Sequence, residues 1–426
     1  MAIELRKTRF VCLSDTHNAS PADGAFKLPK GDVLIHAGDL TKQGTFAELQ
    51  KTLNWIEQAD FEVKIVVAGN HDITLDPDFY GGHGPHFHSK YPQDSQACIN
   101  LVKGYKSITF LNHESTDIRL AKEDGPQTSF KVFGSPYSPA NGLWAFGYSP
   151  EDASKIWEHS IPLDTDVIVT HTPPKYHCDE SKDRRAAGCI PSQKGNADSE
   201  IFIQETLREK LWRVRPHLAI CGHVHEGRGA EIVLWDIETP NTRYKEALIE
   251  HWTDPSIDTK KQSLIDLSAK SSIPLENTGS WGDEEIPSVS IEVLAKDLDS
   301  TSLRRWRSKE RPAFTLQTLD DGLRSSYYEG IHGHGVITPS RRCDMEALAG
   351  RMGRKETCII NAAIMASSWP YKSNSQQRYN KPIVVDIDLP VLQKQGNLQE
   401  ERNRQAESKS RGETEHPSLS GEDNSS

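Results

Sequence analysis

An α/β fold is predicted by three observations. Short β-branched runs alternate with amphipathic helical patterns over residues 1 to about 235. Each helical pattern carries a single apolar face. Five clusters of Asp, Asn and His side chains each follow directly on an apolar run. Such alternation builds a sheet whose faces are covered by helices. It places functional loops just beyond the C-terminal strand ends.

The elements follow in order. Phe10–Leu13, Val33–Ile35, Val63–Val67, Ile108–Leu111, Phe130–Phe133, Val167–Val169 and Leu218–Ile220 are predicted strands. Phe46, Leu49, Leu53 and Ile56 recur at helical spacing, as do Ile203, Leu207, Leu211 and Val214. Beyond about 238 the chain turns rich in Ser, Asp, Glu, Lys and Arg. Residues 238–354 are therefore expected to form a long, largely disordered polar insertion, with SLIDLSAKSSIPLENTGSWGDEE read as solvated. ETCIINAAIMA and KPIVVDIDLP, within 355–390, return as strands and are expected to close the core begun by 1–237. The tail 391–426 is expected to be disordered.

Composition agrees with a core smaller than the chain. Counting glycine and leaving out tyrosine, about 39% of the 426 residues are apolar, against ~45–50% for globular domains. The net charge of −11 argues against a protein that coats nucleic acid or a basic membrane-surface protein. No run of ~18 apolar residues exists, so no membrane span is expected. The N-terminus reads as a strand rather than a secretion signal, and seven cysteines without regular spacing read as reduced thiols. A cytoplasmic location is expected, with the nucleus as the other compartment that keeps thiols reduced. The histidines of GGHGPHFHSK (83, 86 and 88) read as a flexible surface loop, and Arg304–Arg311 as an exposed basic stretch within the insertion. Phosphate-loop, dinucleotide-fingerprint and zincin motifs are absent.

The five clusters carry the chemistry. SDTH follows FVCL, GDLT follows VLIHA, GNHD follows KIVVA, HTPP follows VIVT, and GHVH follows LAIC. They supply Asp15, His17, Asp39, Asn70, His171, His223 and His225. Each piece alone is weak; a lone D-x-H or a GD at a strand end is common in turns. Together, seven nitrogen and oxygen donors exceed what one ion takes, and they suit two divalent ions sharing a bridging carboxylate. In an extended segment residues i and i+2 point the same way, which explains the D-x-H and H-x-H spacings. Ligation without thiolate fits Mn, Fe or Zn.

The ordered set D-x-H, GD, GNH[D/E], H, GHxH resembles the calcineurin-like metallophosphoesterase superfamily. GSPYSPANGLWAF, the Gly188-Cys189 pair and CGHVHEGRG are similar to its small class III-like phosphodiesterase branch, which includes the animal MPPED proteins. The resemblance covers 1–235 and the closing strands. It implies a four-layer α/β/β/α sandwich of two mixed sheets, with a dinuclear site at the strand ends. It assigns Asp15, His17 and His225 to one ion, Asn70, His171 and His223 to the other, and Asp39 as the bridge. It makes His71 the general acid and Asp72 its orienting partner, and it tilts the metal to Mn. The implied activity is hydrolysis of small phosphodiesters such as cyclic nucleotides by a metal-bridging hydroxide. Asn141 of the GSP loop is a candidate substrate donor. A phosphomonoesterase or protein phosphatase, and a non-catalytic scaffold binding protein partners through 238–354, are the competing readings.

Overall fold

The computed structural model describes residues 4–179, 202–236, 245–257, 259–270, 273–275, 277, 314–316, 354–366 and 378–392. Cys189, the basic stretch 304–311, most of the expected insertion and most of the tail lie outside the described residues. In chain order the elements open with β1 (Leu5–Leu13), β2 (Val33–Ala37), α1 (Phe46–Gln58), β3 (Val63–Val67), α2 (Pro77–His88) and α3 (Ser95–Gly104). Next come β4 (Thr109–Leu111), β5 (Glu114–Arg119), β6 (Ser129–Ser135), the short pair β7 (Ser138–Pro139) and β8 (Gly147–Tyr148), α4 (Ala153–Trp157) and β9 (Val167–Thr170). The chain continues through α5 (Phe202–Val214), β10 (Leu218–Cys221), β11 (Gly229–Asp236), β12 (Lys245–Trp252), β13 (Ser263–Leu267) and β14 (Phe314–Leu316). It closes with β15 (Glu356–Asn361) and β16 (Ile383–Pro390).

Two mixed sheets result. One runs β13-β16-β1-β2-β3-β4 and the other β14-β12-β11-β15-β10-β9-β6-β5. Alternation along each strand builds the layers, because successive side chains point to opposite faces. Phe10 and Cys12 of β1 enter a core shared with Phe130, Val132, Val169, Ile220 and Ile360 of the other sheet. Val11 and Leu13 face outward onto Leu49, Leu53 and Ile56 of α1 and Cys98 and Val102 of α3. On the far side Phe133, Ile168, Ala219 and Val233 pack against Trp157 of α4 and Leu207 and Leu211 of α5. The four layers are helix, sheet, sheet, helix.

Two expectations change. The histidine-rich segment is helical through His88. Asp76 caps α2 by accepting from Phe79 N at 3.0 Å, Pro77 sits in its first turn, and the hydroxyl of Tyr80 pairs with His88 Nδ1 at 2.9 Å. Cap, proline and this buried contact outweigh the helix-weakening glycines. The stretch expected as a solvated insertion contains β12, β13 and β14. SLIDL forms β13, parallel to β16, with Ile265 and Leu267 buried. Its alternating pattern is short, and its partner strand lies more than a hundred residues away.

Behind the second sheet lies a buried polar knot. His177 Nδ1 meets Glu231 Oε2 at 2.9 Å and its Nε2 meets Glu246 Oε1 at 3.0 Å. Arg208 grips Glu246 through two bonds of 2.6 Å. Burial would push the His177 imidazole down, but the two carboxylates outweigh it and raise it to about 9. The folded value lies above the ordinary ~6.5. This stabilisation is therefore complete below about pH 6.5 and is lost as pH rises through about 9. At ~1.4 kcal/mol per unit it is on the order of 3 kcal/mol. Urea unfolding followed from pH 6 to 10 is expected to show the native chain losing stability over this window. His177→Gln is expected to flatten the loss, and parallel curves for the two proteins would dismiss the protonated knot.

Candidate metal centre

Each donor cluster sits where a strand ends, but the five ends belong to two sheets. β1, β2 and β3 deliver Asp15, His17, Asp39 and Asn70 from the first sheet, while β9 and β10 deliver His171, His223 and His225 from the second. The site is thus a junction at one edge of the sandwich rather than the edge of a single sheet. Ser14 makes the junction: its N–H donates to Ala362 O at 3.0 Å, and its carbonyl accepts from Ile364 N at 2.9 Å. Gly222 N donates to His171 O at 2.9 Å, joining the two loops of the second sheet.

The donor loops are not extended. Asp15, His17, Asp39 and His223 have φ of 57°, 42°, 54° and 67°. Asp, Asn and His tolerate this left-handed region better than most residues, at a cost of order 1–3 kcal/mol each. The turns are held by Asp15 N to Gly38 O at 3.0 Å and His17 N to Asp39 O at 3.1 Å. Strand periodicity therefore does not account for the D-x-H spacing. Close approach also demands glycine. A Cβ on Gly38, itself at φ 99°, would strike the His171 ring, and one on Gly222 would strike Ser14 and Asp15.

The seven predicted donors converge. Asp15, His17 and His225 place one ligand atom each within 4.8 Å of one another, as do Asp15, Asp39 and His171. Asn70 Oδ1 lies 2.9 Å from both His171 Nε2 and His223 Nδ1. The Asp39 carboxylate lies between the groups, with Oδ2 3.6 Å from His17 Nε2 and Oδ1 3.4 Å from His171 Nε2. All seven are at least largely buried save His223, which is partly covered.

The hydrogen bonds argue that this set holds cations. His171 Nδ1 faces Ala37 O at 3.0 Å, and His17 Nδ1 faces Thr41 O at 3.2 Å. A carbonyl only accepts, so each Nδ1 carries the hydrogen. In the neutral form that a metal ligand takes, each Nε2 then presents its lone pair to acidic or amide oxygens. Buried lone pairs aimed at one another repel unless a proton or a metal cation lies between them, and this set offers more such pairs than it has protons to share. Backbone carbonyls orienting ligand imidazoles through the far nitrogen are the usual support of metal-binding histidines. Burial drives His17 and His223 down to about 4, so both are neutral at pH 7, as ligands must be. Burial opposes the charge on Asp15 and Asp39, yet the surrounding histidines hold both below the usual carboxylate range. Burial would likewise lower His171, but Asp39 and Asp15 outweigh it and raise it.

Asp72 does not orient the His71 ring. It is fully buried and accepts from Gly69 N (2.8 Å), Leu40 N (3.1 Å), Thr41 N (2.9 Å) and Thr41 Oγ1 (2.7 Å). It clamps the GD loop to the GNHD loop. Burial, reinforced by Asp39, pushes it up to about 7. The His71 ring is held instead by Lys42 O, 2.8 Å from Nδ1. Sequence reasoning also missed Asn361 of β15. Its amide donates to Val224 O at 2.8 Å and Cys178 O at 3.0 Å, bracing the loop between His223 and His225. A lone amide inside an apolar strand was the available signal.

A cavity of about 310 Å³ opens onto this cluster. His17, Asp39, Asn70, His71, His223 and His225 form its floor, and Asn141, exposed, stands at its rim with Trp144.

Buried donors for two cations beneath a small cavity, at the junction of two sheets, are the working parts of a metal-dependent phosphoesterase. Residues 8–227 match the family model for calcineurin-like phosphoesterases, and the chain belongs to that family. Among curated relatives, it is 32% identical to metallophosphoesterase domain-containing protein 1 of Homo sapiens over 52% of this chain and 62% of that protein. It is equally identical to a UPF0046 protein of Caenorhabditis elegans, over 52% of this chain and 64% of that one. It is 39% identical to probable rhamnogalacturonate lyase C of Emericella nidulans over 54% of this chain but 18% of that protein. The match thus spans less than two thirds of each. Among the described residues no helix is long and apolar enough to cross a membrane.

Calorimetric titration with Mn²⁺ is expected to find two ions per chain, and one for Asp39→Asn. Asn361→Leu is expected to weaken Mn²⁺ binding by ~10–100-fold by loosening the His223–His225 loop. Unchanged affinity in that variant would mean the loop holds itself.

Proposed function

We propose that this chain hydrolyses small phosphodiesters, cyclic nucleotides among them, with Mn as the metal of choice and His71 as general acid. The carrying observation is the cavity wall. Among the described residues that line it there is no Lys or Arg, while Glu226 adds a carboxylate at its edge. A phosphomonoester bears up to two charges at neutral pH, since its second pKa is ~6. Sites for such dianions recruit arginine or lysine. A singly charged diester suits this wall better.

Two divalent ions on the seven donors would neutralise phosphoryl charge and make a water acidic enough to attack at neutral pH. The chain's own residues do the rest. His71 donates Nδ1–H to Lys42 O, which leaves Nε2 as the nitrogen that carries a proton to the leaving oxygen. Its backbone N–H donates to Asp39 Oδ1 at 2.9 Å, tying the acid to the bridging carboxylate. Asn141, exposed at the rim, would donate to substrate there. Four ligand residues held in strained backbone geometry speak against a scaffold, which would gain nothing from that cost.

With Mn-loaded protein, bis(4-nitrophenyl) phosphate is expected to be cleaved faster than 4-nitrophenyl phosphate, alongside turnover of 2′,3′- or 3′,5′-cyclic nucleotides. Asp39→Asn is expected to lower the diester rate by ~10²–10³-fold or more. A monoester or phosphopeptide preference would replace this reading with the phosphatase one, and an Asp39→Asn chain as active as the native one would end both.

A further inference from the structure

The GSPYSPANGLWAF loop does more than roof the cavity. The Trp144 indole lies over the His71 imidazole, with ring centroids 3.9 Å apart and planes 30° from parallel. Phe87 near the end of α2 backs the indole at 5.4 Å. Backbone bonds lock this arrangement: Ala145 N donates to Asn70 O at 3.2 Å, and Phe146 N donates to Asp76 Oδ2, the α2 cap, at 2.8 Å. His71 also meets the His17 ring in a T-shaped contact, at 4.7 Å and 81°.

We infer that Trp144 is a positioning residue for His71, held by Phe87 of α2, and that it fixes the direction in which Nε2 presents its proton. The inference rests on the reading of His71 as the general acid. The Lys42 carbonyl gives the ring one hydrogen bond, and a ring held at one atom can still pivot about it. A stacked indole removes that pivot. Proton delivery needs heavy atoms within ~3 Å and correct aim, so small misplacements cost large factors in rate. The indole face against His71 is already covered at contact distance, so a substrate base cannot stack there without displacing the acid. The histidine-rich helix thereby gains a role: α2 carries the buttress that holds the roof over the acid.

Leaving groups separate this role from a merely structural one. Nitrophenolate departs with little help, whereas the ribose alkoxide of a 2′,3′-cyclic nucleotide needs a proton. The full chain, Trp144→Leu, Trp144→Phe, His71→Ala and the Trp144→Leu/His71→Ala double variant are compared on 2′,3′-cyclic AMP and bis(4-nitrophenyl) phosphate, with Mn present. Trp144→Leu is expected to lose at least tenfold more kcat on the cyclic substrate than on the aryl diester, with KM little changed. Trp144→Phe restores most of the loss, and the double variant is no worse than His71→Ala. Independently of turnover, with diamagnetic Zn²⁺ in place of Mn²⁺, the Cε1–H proton resonance of His71 is expected upfield from the indole ring current and moves downfield in Trp144→Leu. Equal losses on both substrates, a change confined to KM, or an unmoved resonance overturns the inference alone, provided His71→Ala discriminates the leaving groups. A His71→Ala chain that treats them alike overturns the acid role and this inference with it. If native protein turns over neither substrate, the function proposal fails, and the resonance alone decides whether Trp144 holds the ring.

Discussion

The rest of the site depends on one backbone contact between the sheets. Ser14, the first residue after β1, exchanges hydrogen bonds with Ala362 and Ile364 just after β15. That exchange brings the ends of the two sheets together, where either alone could gather only part of the donor set. Ser14 Oγ also donates to Ala37 O at 2.9 Å, drawing the end of β2 into the same knot. Buried backbone groups must find partners, so satisfying them here also sets the spacing of the acidic and imidazole side chains that follow.

Around that contact the chain concentrates groups that would repel one another if left to themselves. Two buried carboxylates, four imidazoles and an amide oxygen share one small volume. Each imidazole whose far nitrogen meets a backbone carbonyl turns its remaining nitrogen inward. The inward-facing donor atoms and the left-handed backbone at four donor positions both oppose folding, a cost that a bound cation would offset. Cation binding would be linked to stability here, since an ion that binds only the folded state stabilises it.

The outer shell divides its work among loops distant in sequence. Asp72 takes up the amides of Gly69, Leu40 and Thr41, locking the second and third donor loops to each other. Asn361 braces the fifth. Trp144 and Phe87 wall the ring that faces the cavity. Of these groups only Asp72 belongs to the D-x-H to GHxH pattern, and each helps to hold a residue that does. Rigid support of this kind is what holds a constellation within fractions of an ångström.

Much of this was legible in the amino-acid order. The apolar runs before SDTH, GDLT, GNHD, HTPP and GHVH are strands, and the seven donors that follow them do meet. The faces Leu49, Leu53, Ile56 and Leu207, Leu211 are the buried sides of helices. These features are local: an apolar period marks a strand or a helix, and a short polar block at its end marks a functional loop. What depends on distant partners had to wait for the tertiary structure. Strand β13 looks solvated until β16 covers its edge. Asp72 looks like the partner of its neighbour His71 until three amides from two loops claim its carboxylate. The D-x-H spacing looks extended until β2's loop pulls its residues into left-handed turns. Sequence alone determined which residues are available as donors, because that is a matter of chemistry and period. The tertiary structure decided which of them face one another, because hydrogen bonds between remote segments set orientation.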